Sequence, residues 1–264
     1  EGRDLPEEYV ALLAKAWGIT FLAVALLLDV YPLRRIDPRA LRAAPWRTLL
    51  LEKWPFAALS LLFAVLAARA QHATLDTMRT LEQWGPLARV AQSLYGLTFY
   101  ITKTIAPVRL AALYELPQHF SAAEPRWIAS ALAAGMLLLC AAYFLRRRTG
   151  FAIAILLYAV LLAPVLGLTQ SGIQLVAERY AYLALIPLFA LLAWTITRLP
   201  ARLHRPAALA ALLVAVLLAV LSARQSLVWR DTEALWRQAI AHGQDGPVLR
   251  NYLARQLESK NEPD

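Results

Sequence analysis

Cysteine is all but missing. Cys140 stands alone in the middle of an apolar run, which excludes an intramolecular disulfide and a cysteine-based zinc cluster. Histidine is scarce as well, and the isolated His72 and His119 do not make a metal motif. The sequence starts at Glu1 without an initiator Met, a basic n-region or a cleavage site. The expectation is therefore that no signal peptide is present and that the chain is a piece of a longer protein. Charge is also absent over long stretches. With 59% hydrophobic residues and a mean hydropathy of +0.49, a soluble fold would have nowhere to put the apolar surplus. The pattern points to a bilayer.

A net charge of +9 suggests a nucleic-acid partner until its distribution is considered. The arginines punctuate apolar runs instead of lining one polar face, so no nucleic acid is expected.

Six apolar runs qualify as spans: Tyr9–Val30, Pro55–Ala70, Trp127–Leu145, Phe151–Leu168, Tyr180–Ile196 and Pro206–Ala223. About 20 helical residues cross a ~30 Å hydrocarbon core. Pro55–Ala70 is short, so Arg69 must snorkel to the interface. Proline opens the second and last runs, where a helix tolerates it. Trp17, Trp54, Trp127 and Trp194 flank spans as interfacial belts. A seventh run, Leu87–Val108, carries Arg89, Gln92, Ser93, Thr98, Thr102, Lys103 and Thr104. It would be a costly lipid-facing span.

Charge bias arbitrates. Arg34, Arg35, Arg39, Arg42, Arg47 and Lys53 form one cluster, Arg146 to Arg148 a second, and Arg198, Arg202 and Arg205 a third. Cytoplasmic loops collect Lys and Arg, so all three should share one face. They do so only if Leu87–Val108 is re-entrant or interfacial. The segments Gln71–Arg126, Thr169–Arg179 and Arg224–Asp264 then lie outside, and a long, partly embedded loop borders a site more often than it merely connects.

Beyond the last span, Trp229, Thr232, Leu235, Trp236, Ala239 and Ile240 recur at helical spacing. Gly243–Pro247 breaks the helix, and Leu249, Tyr252, Leu253 and Leu257 mark a second one. Such a pair looks like one tetratricopeptide unit, which cannot bury its apolar face alone. Either further repeats follow, or the pair docks on the membrane domain. The expected fold is an all-α integral membrane protein with about six transmembrane helices plus one re-entrant or interfacial helix, followed by a short helical tail. The division is a polytopic membrane domain, residues 1–223, and an extracytoplasmic, truncated helical pair, residues 224–264.

Several short motifs occur in order: Leu26-Leu-Leu-Asp-Val-Tyr-Pro-Leu-Arg34, Leu51-Glu-Lys-Trp-Pro-Phe56, Gly167-Leu-Thr-Gln-Ser-Gly172, and Ala177-Glu-Arg-Tyr-Ala-Tyr-Leu183, with Trp229 opening the helical pair. This order resembles bacterial multi-spanning proteins with tetratricopeptide repeats, similar to the transmembrane-and-tetratricopeptide O-mannosyltransferases of the GT-C glycosyltransferase class. The match covers most of the chain. It departs in having Glu178-Arg179-Tyr180 where the family carries Asp-Arg-Tyr, a single repeat, and no membrane half ahead of Leu26. The family's catalytic carboxylate lies in the first extracytoplasmic loop of that half. Asp4, Glu7 and Glu8 do not match it. The resemblance therefore implies the C-terminal membrane half of such an enzyme, in the bacterial inner membrane with its C-terminus extracytoplasmic. That half would supply groups that bind a polyprenyl-phosphate sugar and would act on an extracytoplasmic acceptor, a protein Ser or Thr. No cofactor is evident, although the full-length parent could use a divalent metal.

Chemistry singles out the same residues. Glu178 and Arg179 sit where an external loop enters a span, flanked by Tyr180 and Tyr182. Arginine's planar fork binds phosphate bidentately, and Glu178 could orient it. Neighbours on a helix do not face each other, so mutual pairing is not expected. Lys103 and Arg109 could add positive charge. The expected substrate-binding set is Arg179, Glu178, Tyr182 and Lys103, with no catalytic residue and no metal ligand assigned. Lys15 and Asp29 are ionisable groups within or at the edge of the first run, Asp29 near enough to the interface to be solvated. Three rivals stand beside this reading. One is a non-catalytic scaffold that recruits an extracytoplasmic protein through its repeat. Another is an O-antigen ligase or polymerase-like protein, for which Gln71–Arg126 is poor in basic residues. A transporter lacks support because no duplicated broken helices are seen.

Overall fold

The computed structural model describes residues 19–72, 80–168 and 172–261. Lys15, Trp17, the start of the Tyr9–Val30 run, residues 169–171 and the side chains of Arg69 and His72 lie outside that description. The fold is mostly helical: α1 (Phe21–Val30), α2 (Trp46–His72), α3 (Pro86–Ile105), α4 (Pro125–Phe144), α5 (Thr149–Leu162), α6 (Ala181–Ala184), α7 (Ile186–Thr197), α8 (Ala201–Val228), α9 (Thr232–Ala241) and α10 (Pro247–Asn261). Two short strands, β1 (Tyr114–Glu115) and β2 (Gln174–Val176), pair antiparallel.

Among the described residues three helices are long and apolar enough to cross a membrane: α2 over Trp46–Val65, α4 and α8. A fourth is possible if Glu178–Ala184 and α7, bent by 52°, form one broken span. The sequence places one continuous span at Tyr180–Ile196; the helix instead bends at Leu185, just ahead of Pro187. Phe151–Leu168 becomes the shorter α5, closing in a 3-10 turn at Ala163–Val165. The strongest membrane signal is α8. No residue of it is buried, and Leu209, Leu213, Val216 and Leu217 all face outward. A helix that is apolar all round and packs on almost nothing needs lipid around it. The chain is an integral membrane protein.

Pro55 and Pro206 do not open their helices. They lie inside α2 and α8, which begin at Trp46 and Ala201. The extra turns of α2 carry Glu52 and Lys53 among apolar residues, and both meet partners outside the helix. Asp29, 1% exposed at the end of α1, forms an ion pair with Lys53 and a second with Arg35 at 3.4 Å. Arg35 also reaches Glu52 at 2.6 Å. Asp29 is thus a buried charge joining α1 to α2, not a solvated one.

All three basic clusters gather at one end of the bundle. The Arg39 guanidinium donates to the Arg146 carbonyl, and Arg34, Arg148 and Arg198 line one cavity. The other end holds β1, β2 and the tail. Helix α3 is tied to that other end along its length. Gln92 donates to the Leu175 carbonyl at 3.3 Å, Ser93 to Leu166 at 3.0 Å, and the Tyr100 hydroxyl accepts from the Ala177 amide at 3.4 Å. Tyr158 near the end of α5 donates to the Leu97 carbonyl. Gly167, at φ +82°, leaves room for the Gln92 amide, which a Cβ there would meet at 2.5 Å.

The tail docks on the membrane domain. Asp231 caps α9 through the Ala234 amide at 3.0 Å, Pro247 opens α10, and Trp236 lies on Tyr252 with ring centroids 5.3 Å apart. Ala239 and Leu249 are fully buried in the same cluster as Trp84, Tyr100 and Trp127. The Glu115 carboxylate accepts from the Val248 and Leu249 amides at 3.3 Å, where a helix start favours an anion. At Gly246 a Cβ would fall 2.0 Å from that carboxylate. His242 Nδ1 completes the clasp, 2.7 Å from the Leu110 carbonyl.

Two outcomes are expected. In a Cys140→Ser background, single cysteines at Arg147 and Thr149 should react with an impermeant maleimide from one side of the membrane, and those at His119 and Gln244 from the other. Labelling of all four from one side would dissolve the two-ended arrangement. Second, Asp29→Asn strands the buried Lys53 charge and should cost about 3–5 kcal/mol. Asp29→Leu combined with Lys53→Met should recover most of it, read by denaturation in detergent micelles.

Candidate functional site

The non-basic end is organised by the short pairing of β1 with β2. Tyr114 lies opposite Val176 and Glu115 opposite Gln174, and the Leu116 amide extends the pairing to the Ile173 carbonyl at 2.8 Å. Successive strand residues point to opposite faces. Tyr114 is therefore sent inward while Glu115 reaches the tail. Just past β2 the chain passes through an extended Ala177 into the 3-10 turn Glu178–Tyr180. This brings Glu178 over Tyr114.

The Tyr114 hydroxyl donates to Glu178 Oε1 at 2.5 Å, and the Ala111 amide donates to the same oxygen at 3.3 Å. No hydrogen bond to Oε2 occurs among the described residues. The Tyr114 ring meets Phe99 edge-on at 4.9 Å. Lys103 Nζ lies 5.7 and 5.8 Å from the centroids of the Phe99 and Tyr114 rings. It donates to the carbonyls of Val108 at 2.5 Å and Arg109 at 3.3 Å. Arg109 has φ of 52°, a conformation a non-glycine residue holds only when its surroundings impose it; the Lys103 ammonium helps to hold it.

Burial pushes the Tyr114 phenol well above the usual tyrosine range, and the Glu178 carboxylate adds to the shift because it accepts the phenolic proton. Burial pulls the Lys103 ammonium below the usual lysine range; Glu178 opposes that change and Arg109 reinforces it.

Arg179 points elsewhere. It is exposed, with Nη2 donating to Gln174 Oε1 at 3.1 Å and to the Tyr180 hydroxyl at 3.4 Å, and its guanidinium lies 5.0 Å over the Tyr180 ring. Gln174 in turn donates to the Tyr180 hydroxyl at 2.9 Å. The fork is thus pre-positioned on Gln174 and Tyr180, with face and remaining donors open to solvent. Glu178 and Arg179 make no pair with each other.

Of the four residues singled out in the sequence, Lys103 and Glu178 come together around Tyr114. Arg179 sits beside them on the outer surface, while Tyr182 stands 79% exposed with no side-chain partner among the described residues. Tyr114 and Glu115 were missed as site residues. The alternation Leu113-Tyr-Glu-Leu116 is their only sequence signal, and it is too short to fix a partner strand. Among the described residues no group of three or more His, Cys, Asp or Glu side chains could hold a metal ion.

Chemically, the end presents a carboxylate with one held and one open oxygen, a desolvated ammonium nearby and an exposed arginine fork. It can receive a hydroxyl-rich group at Glu178 and an anion at Arg179. No protein-family model matches the chain, and neither a curated protein nor a solved structure does. The resemblance to the O-mannosyltransferases rests on the quoted motifs alone.

A raised phenol pKa stabilises the fold while the phenol stays protonated. The contribution of Tyr114 is complete below about pH 10, where unfolded tyrosine titrates, and is lost as the pH climbs toward the raised native value. Thermal unfolding followed from neutral to alkaline pH should therefore show a shallower alkaline decline in Tyr114→Phe than in the wild type. An unchanged slope would dissociate Tyr114 from the buried unit.

Proposed function

We propose that this chain is the C-terminal membrane part of a GT-C-like glycosyltransferase, and that it binds the phosphate of a polyprenyl-phosphate sugar through Arg179. The donor's phosphate sits against the Arg179 fork, with its isoprenoid tail in the bilayer. The sugar reaches inward toward the open oxygen of Glu178. The acceptor, a protein Ser or Thr, approaches from the extracytoplasmic side, where the helical pair of residues 224–264 presents it or recruits a protein partner. In this reading α3 is an interfacial helix at the extracytoplasmic boundary, and the basic end is cytoplasmic. This chain holds the donor, and the catalytic carboxylate comes from another part of the full-length protein.

One observation carries the proposal: an exposed arginine, pre-positioned by Gln174 and Tyr180, directly beside a carboxylate held on one oxygen. Preorganised forks lose less freedom on binding phosphate. Lys103 contributes by fixing the Arg109 turn next to Glu178.

A second reading has a specific observation in its favour. The Tyr114 and Ala111 contacts to Glu178 are those of a structural latch, as a non-catalytic scaffold would use. Binding of a short-chain polyprenyl phosphate to the protein in detergent separates the two. Under the glycosyltransferase reading Arg179→Ala weakens binding about ten-fold, a loss typical of one charge-assisted contact, and Arg179→Lys restores only part of it. Equal affinity in wild type and Arg179→Ala would leave the scaffold.

A further inference from the structure

A second place in the molecule has the chemistry of a ligand site, at the opposite end from Arg179. A cavity of about 860 Å³ opens between the end of α1, the loop 31–39, the start of α5 and α7. That volume is within the range of small-molecule pockets. Much of its wall is apolar, formed by Leu28, Ile153, Leu157, Leu191 and Trp194. Arg34, Arg39, Arg148 and Arg198 also line it, against Asp37 as the one acidic lining residue among the described residues. The bend at Leu185 turns α7 away from the line of the preceding turn and contributes one side of the opening.

Positive charge is in excess here. Asp29 and Glu52, the acids of this end, are engaged by Lys53 and Arg35. The Asp37 carboxylate accepts from the Arg39 amide at 2.8 Å within its own turn. Arg39 braces the wall through the Arg146 carbonyl, and Arg198 is stacked 5.2 Å over Trp194. Arg34 and Arg148 carry no side-chain partner among the described residues. Arg34 is also held at φ 54°, a costly conformation that persists where the surroundings impose it. Like charges gathered at an apolar crevice repel one another unless an anion joins them.

We infer that this cavity binds a phosphate-bearing amphiphile from the adjacent leaflet, its phosphate held by Arg34 and Arg148 and its chain lying between α1, α5 and α7. Basic pockets between membrane helices hold anionic headgroups in this way, and the apolar walls select a lipid over a soluble phosphate. This site is separate from Arg179 and does not depend on the function proposed for it.

The test uses the full chain in phosphatidylcholine nanodiscs, with phosphatidic acid as the probe and inorganic phosphate as the soluble control. Phosphatidic acid should saturate, and Arg34→Gln with Arg148→Gln should weaken it at least about ten-fold, the loss expected from two charge-assisted contacts. Arg202→Gln with Arg205→Gln, basic residues at the same end that do not line the cavity, should leave it unchanged. Leu157→Trp, which fills the apolar interior, should also abolish saturable binding without removing charge. Equal losses in both arginine pairs would reduce the effect to general surface attraction and overturn the site. Inorganic phosphate binding as tightly as the lipid would overturn the amphiphile. The loss in Arg34→Gln with Arg148→Gln should be the same in a wild-type and in an Arg179→Ala background, so the two sites fail or stand independently.

Discussion

Non-helical backbone beside a bilayer has no water to turn to and must find its hydrogen bonds inside the protein. Two such stretches, residues 106–124 and, among the described residues, 166–168 with 172–177, lie at one end of this molecule, and the helices around them are arranged to meet their demands. Helix α3 carries the polar side chains that would make it an expensive span. Gln92 and Ser93 spend them on the carbonyls of Leu175 and Leu166. Lys103 takes the carbonyls of the Arg109 turn, and Tyr100 accepts from Ala177. Glu178 and Tyr114 close the remaining gap between the two stretches. The site thus grows from the same hydrogen-bonding requirement that keeps α3 at this end.

This accounts for what could be read from the sequence and what could not. The apolar runs and the polar face of α3 are local patterns, and they marked helical segments, though only three of them, or four with the bent pair, are long and apolar enough to cross a membrane among the described residues. The grouping of basic residues at one end was legible because charge bias needs no contact map. Helix starts at Pro55 and Pro206 were misplaced because hydropathy marks where a helix becomes apolar, not where it begins. Glu52 and Lys53, ahead of Pro55 in α2, have their partners Arg35 and Asp29 outside the apolar run. Tyr114 was invisible for a related reason. Its partner lies 64 residues away, across a pairing of two strands too short to leave an alternating signature.

The two ends treat their charges differently. At the basic end the acids are used internally and arginines are left over, so excess charge faces an apolar crevice. At the other end Tyr114, Glu115, Glu178 and Lys103 have defined partners, and the exposed Arg179 is turned outward on Gln174 and Tyr180. Both arrangements keep positive charge at the rim of the bundle, where long side chains reach polar surroundings. Helix α8, which buries no residue, joins the two ends and packs on little else, so its position is set by lipid and by its junctions with α7 and α9.

The clasp between Glu115 and the start of α10 gives the molecule a direction in time. Glu115 meets amides 133 and 134 residues further along the chain, and His242 closes on a carbonyl 132 residues behind it. During synthesis the loop around β1 is made early and must wait for α8 to be inserted and for residues 239–249 to emerge on its own side. Until then the Ala239 and Leu249 places in the core stand empty, and the Glu115 carboxylate lacks its helix. Helices α9 and α10 complete the earlier loop, so maturation of the segment that carries Tyr114 reports on insertion of everything between them.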